Sequence, residues 1–124
     1  MSTLTLTLPW PPRELSPNAR VSWPAVYRAK QSYMELAWGA ALEARPQGFK
    51  VLTEALAHVT FVVPTRRRYD LDNLMAMLKP AWDAFVATKL IWDDDSQHLR
   101  HGEPKLVVER GCEARVEILL EALG

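Results

Sequence analysis

A chain of 124 residues with 48% hydrophobic content is long enough to bury a core and short enough for one domain. No run approaches the roughly 18 consecutive apolar residues that a membrane-spanning helix needs. With 15 basic and 15 acidic residues the net charge is zero, which taken alone speaks against a nucleic-acid partner.

The opening MSTLTLTLPWPP has neither the basic start nor the apolar stretch of a secretory signal. The single cysteine, Cys112, cannot form an internal disulfide and suits a reducing compartment, so a cytoplasmic protein is expected. Residues 3–8, TLTLTL, alternate polar and apolar and predict a half-buried strand. The next stretch, PWPPRELSPNAR, carries four prolines and cannot form a regular element. Pro24, after Ser22 and Trp23, marks a helix start, because a first-turn proline has no N–H to waste. In the helix that follows, to about Ala44, Tyr27, Met34, Trp38 and Ala41 fall on one side, while Arg28, Lys30 and Gln31 mostly fall elsewhere.

Residues 55–63, ALAHVTFVV, read as a central strand ending at Pro64. Leu71, Leu74, Leu78, Trp82 and Phe85 recur at steps of three and four, predicting an amphipathic helix over 73–87 with a kink or restart at Pro80. Residues 105–111 and 114–121 read as an antiparallel pair around Gly111, Cys112 and Glu113. The order βαβαββ predicts one small α/β (α+β) domain over 1–124, with a mixed sheet of about four strands packed by two main helices.

Two acidic segments lie outside these apolar stretches: RRRYDLDNL at 66–74 and WDDDSQ at 92–97. Their five aspartates, Asp70, Asp72, Asp93, Asp94 and Asp95, leave 10 acidic residues elsewhere against 15 basic ones, so a basic surface around a metal site is compatible with zero net charge. If the chain is extended at 70–72, both carboxylates point to one side; Asp72 or Asn73 can also cap the following helix. Hard oxygen ligands converging from two segments suit Mg²⁺ or Mn²⁺, and Arg66, Arg67 and Arg68 beside them offer planar forks for phosphate. That is the composition of a phosphodiesterase site. The plainer alternative is a helix cap, a solvated acidic turn and a solubilising arginine patch.

RRRYDLDNL, then Lys79 followed by Asp83, Ala84 and Phe85, then WDDDSQ, resembles the RusA family of Holliday-junction resolvases of prophages and bacteriophages. LPWPP at 8–12 and SPNAR at 16–20 resemble its N-terminal region, so the likeness spans most of the chain in one order. The resemblance implies a homodimeric, Mg²⁺- or Mn²⁺-dependent endonuclease that nicks four-way or other branched DNA at symmetric positions. By motif position Asp70 and Asp72 match the family's paired metal-binding aspartates, Asp95 its third essential carboxylate and Asp94 that residue's neighbour. Asp93 stands where the family often has a non-acidic residue and reads as peripheral.

The family's lysine commonly lies four residues after the second aspartate, where this chain has Ala76. Here Lys79 follows Asp72 by seven, and on a regular helix steps of four and seven return to nearly the same face. Lys79 is therefore the candidate for stabilising charge on phosphate, and a salt bridge to Asp83 is the equal alternative. His58 reads as a hydrogen-bonded core residue and Trp82 as core; His98 and His101, which follow the acidic loop, are placed to touch metal or phosphate, with a surface role the favoured reading. Packing is expected for Trp10, Trp23 and Trp92 rather than base stacking, and Cys112 has no partner for nucleophilic chemistry. Two other readings of the chain stand beside the endonuclease: a branched-DNA binder with a decayed active site, and a structural phage protein whose acidic loops hold a cation.

Overall fold

The computed structural model describes residues 3–123. Strand β1 (Thr3–Pro9) keeps the period-two alternation, with threonines facing solvent and Leu6 and Leu8 in the core. A short 3-10 turn (Arg13–Leu15) leads toward helix α1 (Trp23–Ala44). Ser22 opens α1, its Oγ accepting the Ala25 N–H at 3.4 Å, with Pro24 in the first turn. Arg45, held in an extended conformation before Pro46, ends the helix.

Strand β2 (Ala55–Val63) precedes helices α2 (Leu71–Ala76) and α3 (Lys79–Ala87) and strands β3 (Leu99–His101), β4 (Lys105–Val108) and β5 (Arg115–Ala122). The five strands form one mixed sheet in the order β1-β5-β2, with β3 and β4 sharing the other edge of β2. β5 runs antiparallel to both β1 and β2, whereas β3 and β4 run parallel to β2. The α+β class read from the sequence is the one observed. β3 is the added strand: with three residues and only Leu99 buried, it carries no periodic signal.

Residues 105–111 and 114–121 do not pair with each other. β4 docks parallel on one side of β2 and β5 antiparallel on the other, so the link between them crosses the end of β2. A tight turn would force β4 and β5 side by side; here the link spans two interstrand steps, about 10 Å. Gly111, with φ 82°, lets the chain bend there, and Arg115 clamps the crossing through Glu109 (2.8 Å) and Glu117 (3.2 Å). The physical reason lies in burial: β5 offers Val116, Ile118 and Leu120 to the core and takes the interior place, while every residue of β4 is at least partly exposed.

Both helical layers cover one face of the sheet. α1 contributes Ala29, Tyr33, Ala37 and Ala41, spaced by four; α3 contributes Ala81, Trp82, Ala84 and Phe85. Of the side expected from the sequence, Ala41 is buried and Met34 packs half-buried against the core, whereas Tyr27 and Trp38 are 51% and 40% exposed. A helix that turns 100° per residue carries both stripes, and the small alanines let α1 approach its neighbours more closely than the bulky stripe would. The second helix breaks at Met77 and Leu78 and restarts with Pro80 in its first turn, the restart expected at that proline.

Tyr33 pins α1 to the end of β1. Its buried hydroxyl donates to the Pro9 carbonyl at 2.8 Å, and burial pushes the phenol's pKa above its ordinary value. Tyr33→Phe should lower the unfolding free energy by about 1 kcal/mol, because the Pro9 carbonyl loses its protein donor. Urea unfolding measures this, and an unchanged midpoint would show that the bond contributes nothing net.

Candidate functional site

β2 delivers the chain at Pro64 to an exposed arginine segment and then to α2. Arg66, Arg67 and Arg68 all face solvent, and Arg67 donates through Nε to the Tyr69 hydroxyl at 3.0 Å. Asp70 is the N-cap of α2, its carboxylate accepting the Asn73 N–H at 3.1 Å, so the cap is Asp70 rather than Asp72 or Asn73. Asp72 already lies in the first turn, exposed, where a negative charge complements the helix dipole. The two carboxylates therefore sit on a cap and a helical turn, not on one extended strand.

The proline-rich segment returns to this place. Ser16 Oγ accepts from Asn73 Nδ2 at 2.9 Å, and Trp10 stands edge-on to Tyr69 with ring centroids 5.9 Å apart. LPWPP, SPNAR and DLDN, remote in the chain, thus meet around residues 69–73.

The second acidic segment forms a loop between α3 and β3. Asp93 Oδ1 accepts the Asp94 N–H at 2.7 Å. Asp95 accepts the backbone N–H groups of Gln97 and His98, both at 3.0 Å, and lies 2.7 Å from His98 Nδ1. The imidazole bond, with the two backbone donors, holds the Asp95 carboxyl below its ordinary pKa. Asp93, Asp95 and His98 each place a ligand atom within 4.8 Å of the others, the one such group of three among the described residues. Asp70 and Asp72 are outside this group, and Asp94 turns instead to Lys79. Asp93 was expected to be peripheral and His98 to be a surface residue; the structure instead gathers both with Asp95, and the three-residue step from Asp95 to His98, which in a tight turn brings two side chains together, was the signal for it.

Lys79 opens α3 and meets two carboxylates, Asp94 at 2.5 Å and Asp83 at 3.0 Å. The salt bridge to Asp83 is therefore real, and a second one ties the helix to the acidic loop. Hydrogen bonding to Asp94, then to Asp83, raises the Lys79 pKa, and the Lys79 bond lowers that of Asp94. His101 packs edge-on against Trp82 at 5.0 Å, and burial lowers its pKa against an opposing pull from Asp94. Trp82 is core, as expected; Trp23 and Trp92 are 75% and 58% exposed, and His58 is half-buried on the open face of the sheet rather than in the core.

The donor set fits a hard divalent cation. Carboxylate oxygens dominate, as Mg²⁺ and Mn²⁺ prefer, and a single imidazole is better tolerated by Mn²⁺.

The Asp94 shift makes a pH prediction with a definite sign. A depressed folded-state pKa gives stabilisation that is complete above the ordinary carboxylate range and lost as pH falls through the folded value. Lys79→Met should move the Asp94 titration upward toward the ordinary range, read by carboxyl-carbon NMR. An unmoved Asp94 titration would contradict the pairing.

No model of a known protein family matches the chain. An uncharacterized protein of Xylella fastidiosa is 38% identical over 92 residues, 73% of this chain, and the chain spans 60% of that relative's length. Crossover junction endodeoxyribonuclease RusA of Shigella sonnei is 30% identical over 135 aligned positions, covering 100% of this chain and 98% of that protein. On this similarity from end to end, the chain belongs to the RusA family.

Proposed function

We propose that the protein is a metal-dependent endodeoxyribonuclease that resolves four-way junctions or related branched DNA by paired symmetric nicks, in recombination and repair. The observation that carries this reading is the gathering of Asp93, Asp95 and His98 in a chain related along its whole length to a crossover junction endodeoxyribonuclease. In this reading Asp93, Asp95 and His98 would hold the cation on the acidic loop with Asp94 in support, and Asp70 and Asp72, which stand outside that group, are kept as the paired ligands that the family resemblance assigns. A bound Mg²⁺ or Mn²⁺ would supply an acidified water and neutralise charge on the phosphate. Arg66, Arg67 and Arg68 grip backbone phosphates irrespective of sequence. Lys79 meets the phosphate by exchanging one of its carboxylate partners.

The same lysine carries a second reading: displaced from the family's usual place, where this chain has Ala76, and engaged by Asp83 and Asp94, it suits a branched-DNA binder that no longer cleaves. A labelled four-way junction incubated with and without each cation separates the two. The nuclease reading expects cleavage only with metal, and Asp70→Asn, Asp72→Asn or Asp95→Asn to reduce it more than about a hundredfold, since even outer-shell partners of metal ligands cost about 10–100-fold. Junction binding should survive each change. Binding without cleavage under either cation would favour the decayed site.

A four-way junction is two-fold symmetric, and a two-fold dimer offers it two identical sites. The bulky stripe of α1 supports such a dimer. Trp23, Tyr27, Met34, Trp38 and Leu42 lie within about 100° of one another on the helix, with Trp23 and Tyr27 stacked at 5.6 Å. In an antiparallel pairing of two copies of α1 about a two-fold between residues 32 and 33, Tyr27 faces the second copy's Trp38 and Trp23 its Leu42. Sedimentation should therefore find a dimer at micromolar wild-type protein and a folded monomer for the double variant Tyr27→Glu, Trp38→Glu. A dimer that persists in the variant would remove α1 from the interface.

A further inference from the structure

A cleft of about 820 Å³ opens between the end of β1, the segment after β2 and the start of β5, beside the arginine segment. Pro9, Trp10, Pro64 and Tyr69 line it together with polar and charged side chains, among them Arg67, Glu113 and Arg115. That volume lies in the range of about 300–1,000 Å³ typical of sites for small organic groups. We propose that this cleft seats one unstacked nucleobase of the bound DNA. The proposal rests on the reading of the chain as a protein of branched DNA and adds to it a base-binding subsite.

Three features carry the argument. First, the indole of Trp10 is wedged edge-on between Phe61, at 5.8 Å, and Tyr69, at 5.9 Å. An aromatic ring already fixed by core packing loses little freedom when a base stacks on it. Second, Arg67 lies over the Tyr69 ring, its guanidinium carbon 5.1 Å from the centroid, and is held there by the bond to the hydroxyl. A flat cation on an aromatic wall offers a second stacking surface and a charge for the base's own phosphate. The other arginine of the cleft, Arg115, is committed to Glu109 and Glu117, so Arg67 decides which side takes the phosphate. Third, Tyr69 directly precedes Asp70, so a base held here anchors its strand one residue from the cap of α2.

The occupant is a base rather than a phosphate because Pro9, Trp10, Pro64 and Tyr69 supply flat apolar surface and Glu113, also in the lining, opposes an anion. Stacking surfaces of this kind accept any base, and a branch point is where a base leaves its stack most cheaply.

The test is a scan of a four-way junction, in EDTA so that binding is read without cleavage. Nucleotides around the branch point are replaced one at a time by an abasic sugar-phosphate. Wild-type protein should lose about tenfold in affinity at one symmetry-related position and little elsewhere. Tyr69→Leu should weaken binding to the intact junction by a similar factor and flatten the scan. Arg67→Met, a change on an exposed side chain that leaves the core untouched, should shrink the same positional loss. Junction binding with a flat wild-type scan would overturn the cleft alone, as would a positional loss undiminished in both variants. Failure to bind any DNA would overturn the parent reading and the cleft with it.

Discussion

The buried strand β2 must have its backbone donors and acceptors paired along both edges, and much of the structure follows from how that demand is met. On one side β5 pairs with eight of its residues, from Ala55 to Val62. On the other side two short strands divide the work: β3 pairs with Ala55, Leu56 and Ala57, and β4 with Thr60 through Val63. Between them Gly102 donates to the Ala57 carbonyl at 2.9 Å, and a Cβ there would stand 3.2 Å from the His58 ring. This split edge has a functional consequence. β3 begins where the acidic loop ends, so the pairing of Leu99 with Ala55 anchors the loop that carries Asp93, Asp94 and Asp95. The opposite end of β2 feeds the arginine segment and the cap of α2, so one strand supports both charged segments.

Electrostatics then ties the acidic loop to the helices. Lys79, the first residue of α3, is the cation that reaches Asp94, and Asp83 one turn later shares it. The break at Met77 and Leu78 lets α3 start at this point, with Pro80 accommodated where it forfeits no hydrogen bond. Because both partners of Lys79 are partly solvent-accessible, the bridge is a modest contributor to stability and can exchange partners. Within the loop, Asp95 is held by two backbone donors and an imidazole, which presets its carboxylate orientation.

Helix α1 resolves a conflict of its own. Two apolar stripes run along it, and the sheet and α3 accept the one made of Ala29, Tyr33, Ala37 and Ala41. Small side chains permit close approach, and the single large one, Tyr33, satisfies its hydroxyl on Pro9. The aromatic stripe, with Trp23, Tyr27 and Trp38, is left facing outward.

The local elements and the candidate residue types were legible in the sequence, because they depend on short-range physics. Period-two threonines and leucines specify β1, Ser22 with Pro24 starts α1, and Pro80 dictates a restart. The paired acidic segments and the arginine run, with their order along the chain, likewise pointed to the family before any geometry was known. Three things were decided only by tertiary structure. The partner of β4 was one, since a strand of four residues pairs wherever a free edge is offered, and Gly111 permits both a hairpin and a crossing. The face of α1 that enters the core was another, since both stripes are apolar and only the space left by the sheet and α3 discriminates between them. The third was the grouping of acids: Asp93, Asp95 and His98 converge while Asp94 is drawn to Lys79, because loop side chains point where backbone turns and long-range charges send them, and no periodicity encodes that.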